Sequence, residues 1–433
     1  MPLDRNSRPM LTSRFRTFVR SVDAAYFQAR VDSASLIAFR ALFGCVLAAA
    51  AVRFMWKGWV DTQLIQPRFH FSYPGLTFLR PWPRGWMYCH FAVLIVAALG
   101  LAVGYRPRLC ALITALGWTY LELLDRALYL NHYYLACLMA WLLVVVPGAG
   151  DRMARGCLLA LRWQVGCVYV FAGLAKLDAD WLLRAQPLRI WLAARSDVPW
   201  LGPLLAQPAT AFAASWFGAL FDLSIVAFLL CRATRRWAFG VALLFHVATG
   251  LLFPIGMFPW LMLACLTLFF EPDWPRPWLA GRAGALRAPK LRRELGALLA
   301  LHCAVQAFVP LYARFASRDR AWTGEGFDFA WNVMLVEKAG SVRFRARDRA
   351  SGAETVVAPD RYLTAQQERA MSHDPRLIRA LARQIARDAG PDVAVYADAF
   401  ATLNGRRVQR LIAADVDLSS AESARWIVPL EPP

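Results

Sequence analysis

Lys176 is the residue best placed to do acid–base chemistry. It sits in FAGLAKLDADW, residues 171–181, where an apolar run ends and Asp178, Asp180 and Trp181 follow at once. Only four of the 49 basic residues are lysines (Lys57, Lys176, Lys290 and Lys338), and the other 45 are arginines. Arginine keeps its proton in proteins, whereas a lysine in apolar surroundings can lose it. Two readings of Lys176 therefore stand side by side. In one, the ammonium snorkels to a membrane surface and the Trp181 indole anchors beside it. In the other, Lys176 is partly desolvated and its neutral amine acts as a general base, with a rate that rises with pH.

Other polar groups fall near the same place. Asn131 and His132 open an apolar run in LNHYYL, where the pair reads equally as a helix cap. His246 lies inside the run that leads to the Gly/Pro turn of FHVATGLLFPIGMFPW, residues 245–260. An intramembrane histidine of this kind commonly serves as a bonding group between helices. Asp222 in FDLS, with Glu122 and Asp125 in LELLD, is costly unless paired or facing a wet cavity. No HExxH, paired cysteines, P-loop, GxGxxG or GxSxG is present, so metal, nucleotide and serine-hydrolase chemistry have no support.

These residues need elements to hold them. The chain has 433 residues, of which 58% are hydrophobic and 18% charged, with a formal net charge of +19. That balance excludes disorder and an ordinary soluble enzyme. Nucleic acid is excluded as a partner because the charge is +17 over residues 1–311 and only +2 beyond. The excess is interleaved with the apolar runs. Runs long enough to span a bilayer begin and end near 33–52, 86–104, 109–125, 131–147, 163–176, 209–230, 237–253, 257–270 and 295–313. An inside N-terminus and nine crossings put 20 Lys/Arg in the inner segments and nine in the outer loops before the tail. That asymmetry matches the positive-inside rule.

The fold expected is an integral membrane all-α helical bundle of about nine segments, followed by a small α+β extramembrane domain. Residues 1–32 form a basic cytoplasmic segment, 33–313 the multi-span catalytic domain, and 314–433 an extracytoplasmic domain that covers the site. In the tail, FDFAWNVMLVEK and SVRFRARD alternate like strands. TAQQERAMSHDPRLIRALARQIARDAG reads as a helix stopped by Gly390, and Asn404-Gly405 as a hairpin turn. Residues 271–293 read as a Pro- and Arg-rich cytoplasmic connector. The nine cysteines read as small membrane-core residues.

In order along the chain, SLIAFRALFG, LRPWPRGWMY, LNHYYL, FAGLAKLDADW, FHVATGLLFPIGMF, FAWNVMLVEK, NGRRVQR and VDL resemble the vitamin K-dependent γ-glutamyl carboxylases. The resemblance runs from about residue 33 to the C-terminus. It implies a membrane enzyme that oxygenates vitamin K hydroquinone with O2 to the epoxide and adds CO2 to the γ-carbon of glutamyl residues, with no metal. Lys176 would be the base, and Asn131 and His132 would orient or stabilise the oxygenated species. Phe258, Met257, Gly256 and His246 would line the quinone pocket. Arg407, Arg410 and Trp331 would handle the substrate, with Asp178, Asp180, Trp181 and Asp222 in support.

Two departures accompany the resemblance. Animal members carry adjacent lysines where this chain has Ala175-Lys176, and a histidine where it has Val336. The partners implied are a glutamyl-containing peptide or protein and membrane lipid. The location implied is a bacterial inner membrane, with the N-terminus cytoplasmic. A quinol oxygenase that carboxylates nothing, and a non-enzymatic membrane protein that keeps the fold, remain the alternatives.

Overall fold

The structure is a computed structural model, and it describes residues 25–146, 152–279, 291–316, 319–420 and 426–431. Most of the basic N-terminal segment and the centre of the 271–293 connector lie outside the described residues.

A helix stands at each of the nine apolar runs: α1 (Ala34–Trp56), α2 (Arg84–Val103), α3 (Pro107–Leu124), α4 (Asn131–Val145), α5 (Arg155–Ala175), α6 (Pro208–Leu230), α7 (Arg235–Leu252), α8 (Phe258–Leu266) and α9 (Arg293–Ala316). Of these, α1, α2, α5, α6 and α9 are long and apolar enough to cross a membrane, while α4 and α8 are shorter apolar helices. Local chemistry sets the ends. Proline occupies the first turn of α3 and α6, where its missing N–H costs nothing. Gly104, in the left-handed conformation, stops α2.

The fifth helix starts eight residues before the apolar run suggested. Arg162 interrupts the apolar pattern, but the fold absorbs it, because its guanidinium donates to the carbonyls of Leu268 and Phe270 at 2.8 and 2.9 Å. Between α5 and α6 the backbones touch. A Cβ at Gly173 would lie 2.9 Å from the Leu223 nitrogen, so only glycine permits this approach. That contact brings the end of α5 against the middle of α6.

The tail folds into a four-stranded antiparallel sheet in the order β2–β1–β3–β4, where β1 is Lys338–Asp348, β2 Glu354–Val357, β3 Val393–Leu403 and β4 Gln409–Arg410. β1 and β3 pair along their full length. The helical segment breaks in two, α10 (Ala365–Met371) and α11 (Pro375–Ala389), because Asp374 caps α11 and Pro375 cannot continue α10. α11 buries Leu377, Ile378, Leu381, Ala382 and Ile385 against the sheet at helical spacing.

The expected strand in FDFAWNVMLVEK does not form, and this corrects the sequence reading. Residues 327–337 instead run as an irregular segment with Phe329, Trp331 and Met334 at positive φ. The segment is spent on contacts with the helical bundle. Phe329 packs on Tyr129 and Tyr134, and Trp331 stacks on Tyr134 at 5.0 Å.

Candidate functional site

Lys176 is the C-cap of α5 and points inward, 5% exposed. Its Nζ donates to Asp222 Oδ2 at 2.8 Å and makes longer contacts of 3.4 Å with the carbonyls of Ala172 and Val333. The Trp181 ring lies 5.1 Å away on one side. Trp181 is itself fixed, donating its indole N–H to the Ser215 carbonyl at 2.7 Å, and the Ser215 hydroxyl returns a bond to the Trp181 carbonyl. Snorkelling therefore does not describe this lysine. Its ammonium belongs to a buried ion pair between α5 and α6.

The pair faces a cavity of about 420 Å³ lined almost throughout by apolar side chains, including Phe217, Phe245, Leu252 and Phe258. His246 and Tyr169 form its other polar element. The Tyr169 hydroxyl and His246 Nε2 are 2.6 Å apart, and among the described residues His246 Nδ1 has no hydrogen-bond partner. The cavity wall includes Val241, Leu244 and Phe217, which are also exposed on the outer surface of the bundle. An apolar chain held in the cavity therefore has a way out between α6 and α7.

The FPIGMF turn bridges this cavity to the second polar pair. Gly256, at φ 61°, presents bare backbone, so that a Cβ there would lie 3.8 Å from His132 Nε2. His132 packs against Tyr133 and Phe258 beside the apolar cavity, without lining it. Met257 is buried under the turn, in the core, and does not line the cavity. Asn131 turns the other way. Its amide donates to the Asn332 carbonyl at 3.2 Å and its Oδ1 accepts from the Tyr129 hydroxyl at 3.1 Å.

Asn131 lines a second cavity, of about 380 Å³, with Arg126, Asn332, Lys338, His373 and Arg376. This one is polar. Met334 lines both cavities, so the irregular segment 327–337 forms the wall between them. Val336 also lines the polar side. Burial pulls the Lys338 ammonium down to about 8, with Asp374 opposing the shift and Arg376 adding to it. Burial, then the charge on Lys338, pushes the His373 imidazole down to about 4. Arg376 is held by Asp374 at 2.7 Å and Asp328 at 2.8 Å.

The tail is fastened over these cavities. Asp180 accepts a two-pronged bond from Arg406 at 2.6 and 2.9 Å, one from Asn404 at 3.1 Å and one from Arg184 at 2.9 Å. Burial works to raise the Asp180 carboxyl, but the bonds from Arg406 and Asn404 outweigh it and hold the group below its ordinary range. Asp178 caps the short helix that carries Asp180, accepting from its amide at 2.8 Å. A second fastening joins His70 and Gln367 to the buried Asp125. Glu122 remains apart, its buried carboxylate lining a separate cavity of about 210 Å³.

The fold thus gathers Lys176, Asp222, Trp181, His246 and Phe258 around one cavity, with His132 and Gly256 beside it. The residues expected to handle the substrate lie elsewhere. Arg407 is exposed, Arg410 is occupied by Asp398 at 3.1 Å, and Trp331 is sealed in the core. Arg406, next to Arg407 in NGRRVQR, is the arginine of that stretch that reaches the membrane part. Sequence reasoning missed it by one position, since which of two adjacent arginines points inward depends on the turn at Asn404-Gly405, both at positive φ. Arg126, Lys338, His373 and Arg376 were missed as well, because their three stretches of sequence meet only in the folded chain.

Two comparisons with known families find matches. Residues 28–274 match the HTTM domain, and residues 292–432 match the vitamin K-dependent gamma-carboxylase, lumenal domain. No solved structure matches the chain.

Proposed function

Because the chain belongs to the vitamin K-dependent γ-carboxylase family, we propose that it oxygenates vitamin K hydroquinone and uses that reaction to add CO2 to the γ-carbon of glutamyl residues. The observation that carries this reading is the buried Lys176–Asp222 pair facing a 420 Å³ apolar cavity, one residue's breadth from a polar one.

The residues fit the group they would receive. A naphthoquinol ring wants a flat apolar slot with polar groups at its ring oxygens, and its prenyl tail wants an exit to lipid. The cavity supplies Phe258 and Phe245 for the ring, and Lys176 and His246 as polar groups, the latter with an unused ring nitrogen. When bound, the quinol supplies the oxygen chemistry and the strong base that removes a γ-proton. In its neutral form Lys176 takes a proton from the ring hydroxyl as general base. Asp222 holds the resulting ammonium in place, and Trp181 fixes its direction. His132 stands against the Gly256 turn and packs on Phe258, through which it positions the reacting ring.

The apolar lining keeps water from a base that water would quench. On the other side of Met334, the polar cavity offers the Arg126 guanidinium, 4.0 Å from Asp328, to a glutamyl carboxylate. In this reading the site lies on the extracytoplasmic side of a multi-pass protein, with the N-terminus cytoplasmic.

The test supplies labelled CO2, a glutamyl peptide and the hydroquinone to the purified protein and to Lys176→Ala. The expected result is epoxide and fixed label from the wild type, and neither from the variant. Epoxide without fixed label would reduce the activity to quinol oxygenation. Activity unchanged by Lys176→Ala would remove the assignment of the base.

A further inference from the structure

Lys338 opens β1 and takes no part in the Lys176 pair. Its Nζ donates to the Trp322 carbonyl at 2.9 Å and lies 5.3 Å from the Trp322 ring centroid. Among the described residues no carboxylate oxygen comes within the 4.0 Å of an ion pair with it. Lys338 is one of only four lysines among the 49 basic residues of the chain. A lysine differs from arginine in offering, once deprotonated, a nucleophilic nitrogen.

The surroundings suit that nucleophile. Lys338 lines the polar cavity together with Asn332, which is 3% exposed, and with His373; among the described residues Asn332 Oδ1 and His373 Nδ1 have no hydrogen-bond partner. The charged groups facing the cavity are Arg126, Asp328, Glu337, Asp374 and Arg376. Of these, Asp328 and Asp374 are engaged by Arg376.

We propose that Lys338 is a reversible carbamylation site, where its amine captures CO2 inside the polar cavity. The Nζ lone pair attacks the carbon, an N–C bond forms, and one C–O π pair moves onto oxygen. The nitrogen gives up one proton to solvent, and nothing is oxidised or reduced. The product is an anion in a cavity edged by Arg126, and its remaining N–H has the Trp322 carbonyl as acceptor. Protonation at nitrogen breaks the N–C bond and returns CO2 beside Met334. That the released CO2 serves carboxylation rests on the proposed function, while the carbamate itself does not. The ammonium's fall to about 8 leaves an appreciable share of neutral amine near neutral pH.

The experiment equilibrates the full-length protein with ¹³C-bicarbonate, traps carbamates by O-ethylation with a trialkyloxonium salt, and locates the label by peptide mass spectrometry. Label is expected on Lys338, increasing as pH rises through about 8, and not on the exposed Lys57. Lys338→Arg, which keeps the cation, should lose the label and raise the KM for CO2 several-fold with kcat preserved. Absence of label on Lys338 at saturating CO2, or equal labelling of Lys57, would overturn the proposal. Label on Lys338 in a protein that fixes no CO2 into peptide sustains the carbamate and overturns the carboxylase reading instead.

Discussion

Lys176 and Asp222 are 7% and 8% exposed at their side chains, with 2.8 Å between Nζ and Oδ2. Removing one partner of such a pair strands a charge in an apolar cavity. Lys176→Met leaves the carboxylate facing Phe217 and Phe245, at a cost of about 3–5 kcal/mol. Asp222→Leu strands the ammonium, but the Trp181 ring at 5.1 Å returns about 1–2 kcal/mol. That variant should therefore lose less, about 1–4 kcal/mol. The double variant replaces a buried ion pair with apolar groups, a change that is commonly neutral or stabilising. Thermal midpoints of the detergent-solubilised protein should rank Lys176→Met lowest, Asp222→Leu next, and the double variant level with wild type. Epoxide formation, followed by chromatography, should be absent wherever Lys176 is replaced, including in the thermally restored double variant. Stability and activity would then separate at one pair of residues. A double variant whose midpoint falls by the sum of the single losses would show that the two charges do not depend on each other. One that still forms epoxide would refute the role of the amine.

Three further expectations follow from other contacts. Phe258→Ala should raise the KM for hydroquinone about tenfold, since an aromatic contact with the ring contributes about 1.5 kcal/mol; a shift in the KM for peptide instead would place Phe258 outside the quinone slot. Asp180→Asn weakens the two-pronged bond from Arg406, so amide exchange across residues 403–407 should quicken and the peptide KM should rise while the quinol KM holds, and unchanged exchange would count against the fastening. His373 should make the tail domain acid-sensitive: its imidazole binds a proton below about 6.5 when unfolded but only below about 4 when folded. Stability should fall as pH drops through that window, by about 3 kcal/mol at most, and His373→Gln should flatten the slope in melts taken across it.

Much of this architecture was legible in the sequence. A helix stands at each of the nine apolar runs, but only five are long and apolar enough to cross a membrane, so the runs located helices more surely than they counted spans. FAGLAKLDADW announced its lysine by composition alone, as the rare cation in an arginine-rich chain. The strand of SVRFRARD and the stop at Gly390 also followed local rules. What local rules missed was decided by partners distant in sequence. Arg162 disguised the start of α5 because its bonding groups lie more than a hundred residues away. FAWNVMLVEK alternates like a strand, yet tyrosines on and beside α4 capture its aromatics and leave no edge to pair with. The polar cavity draws Arg126, Lys338 and Arg376 from three separate stretches, and no spacing rule connects them.

Between Lys176 and Asp180 the chain is only five residues long, yet its two ends face different parts of the molecule. One end holds the amine over the apolar cavity, and the other holds the carboxylate that grips Arg406 and Asn404 in the tail. Asp178 caps the helix turn that joins the two ends, accepting from the Asp180 amide at 2.8 Å. The buried Lys176 pair and the tail's fastening are therefore held by one short, capped piece of backbone, and their spacing is fixed locally rather than across the bundle.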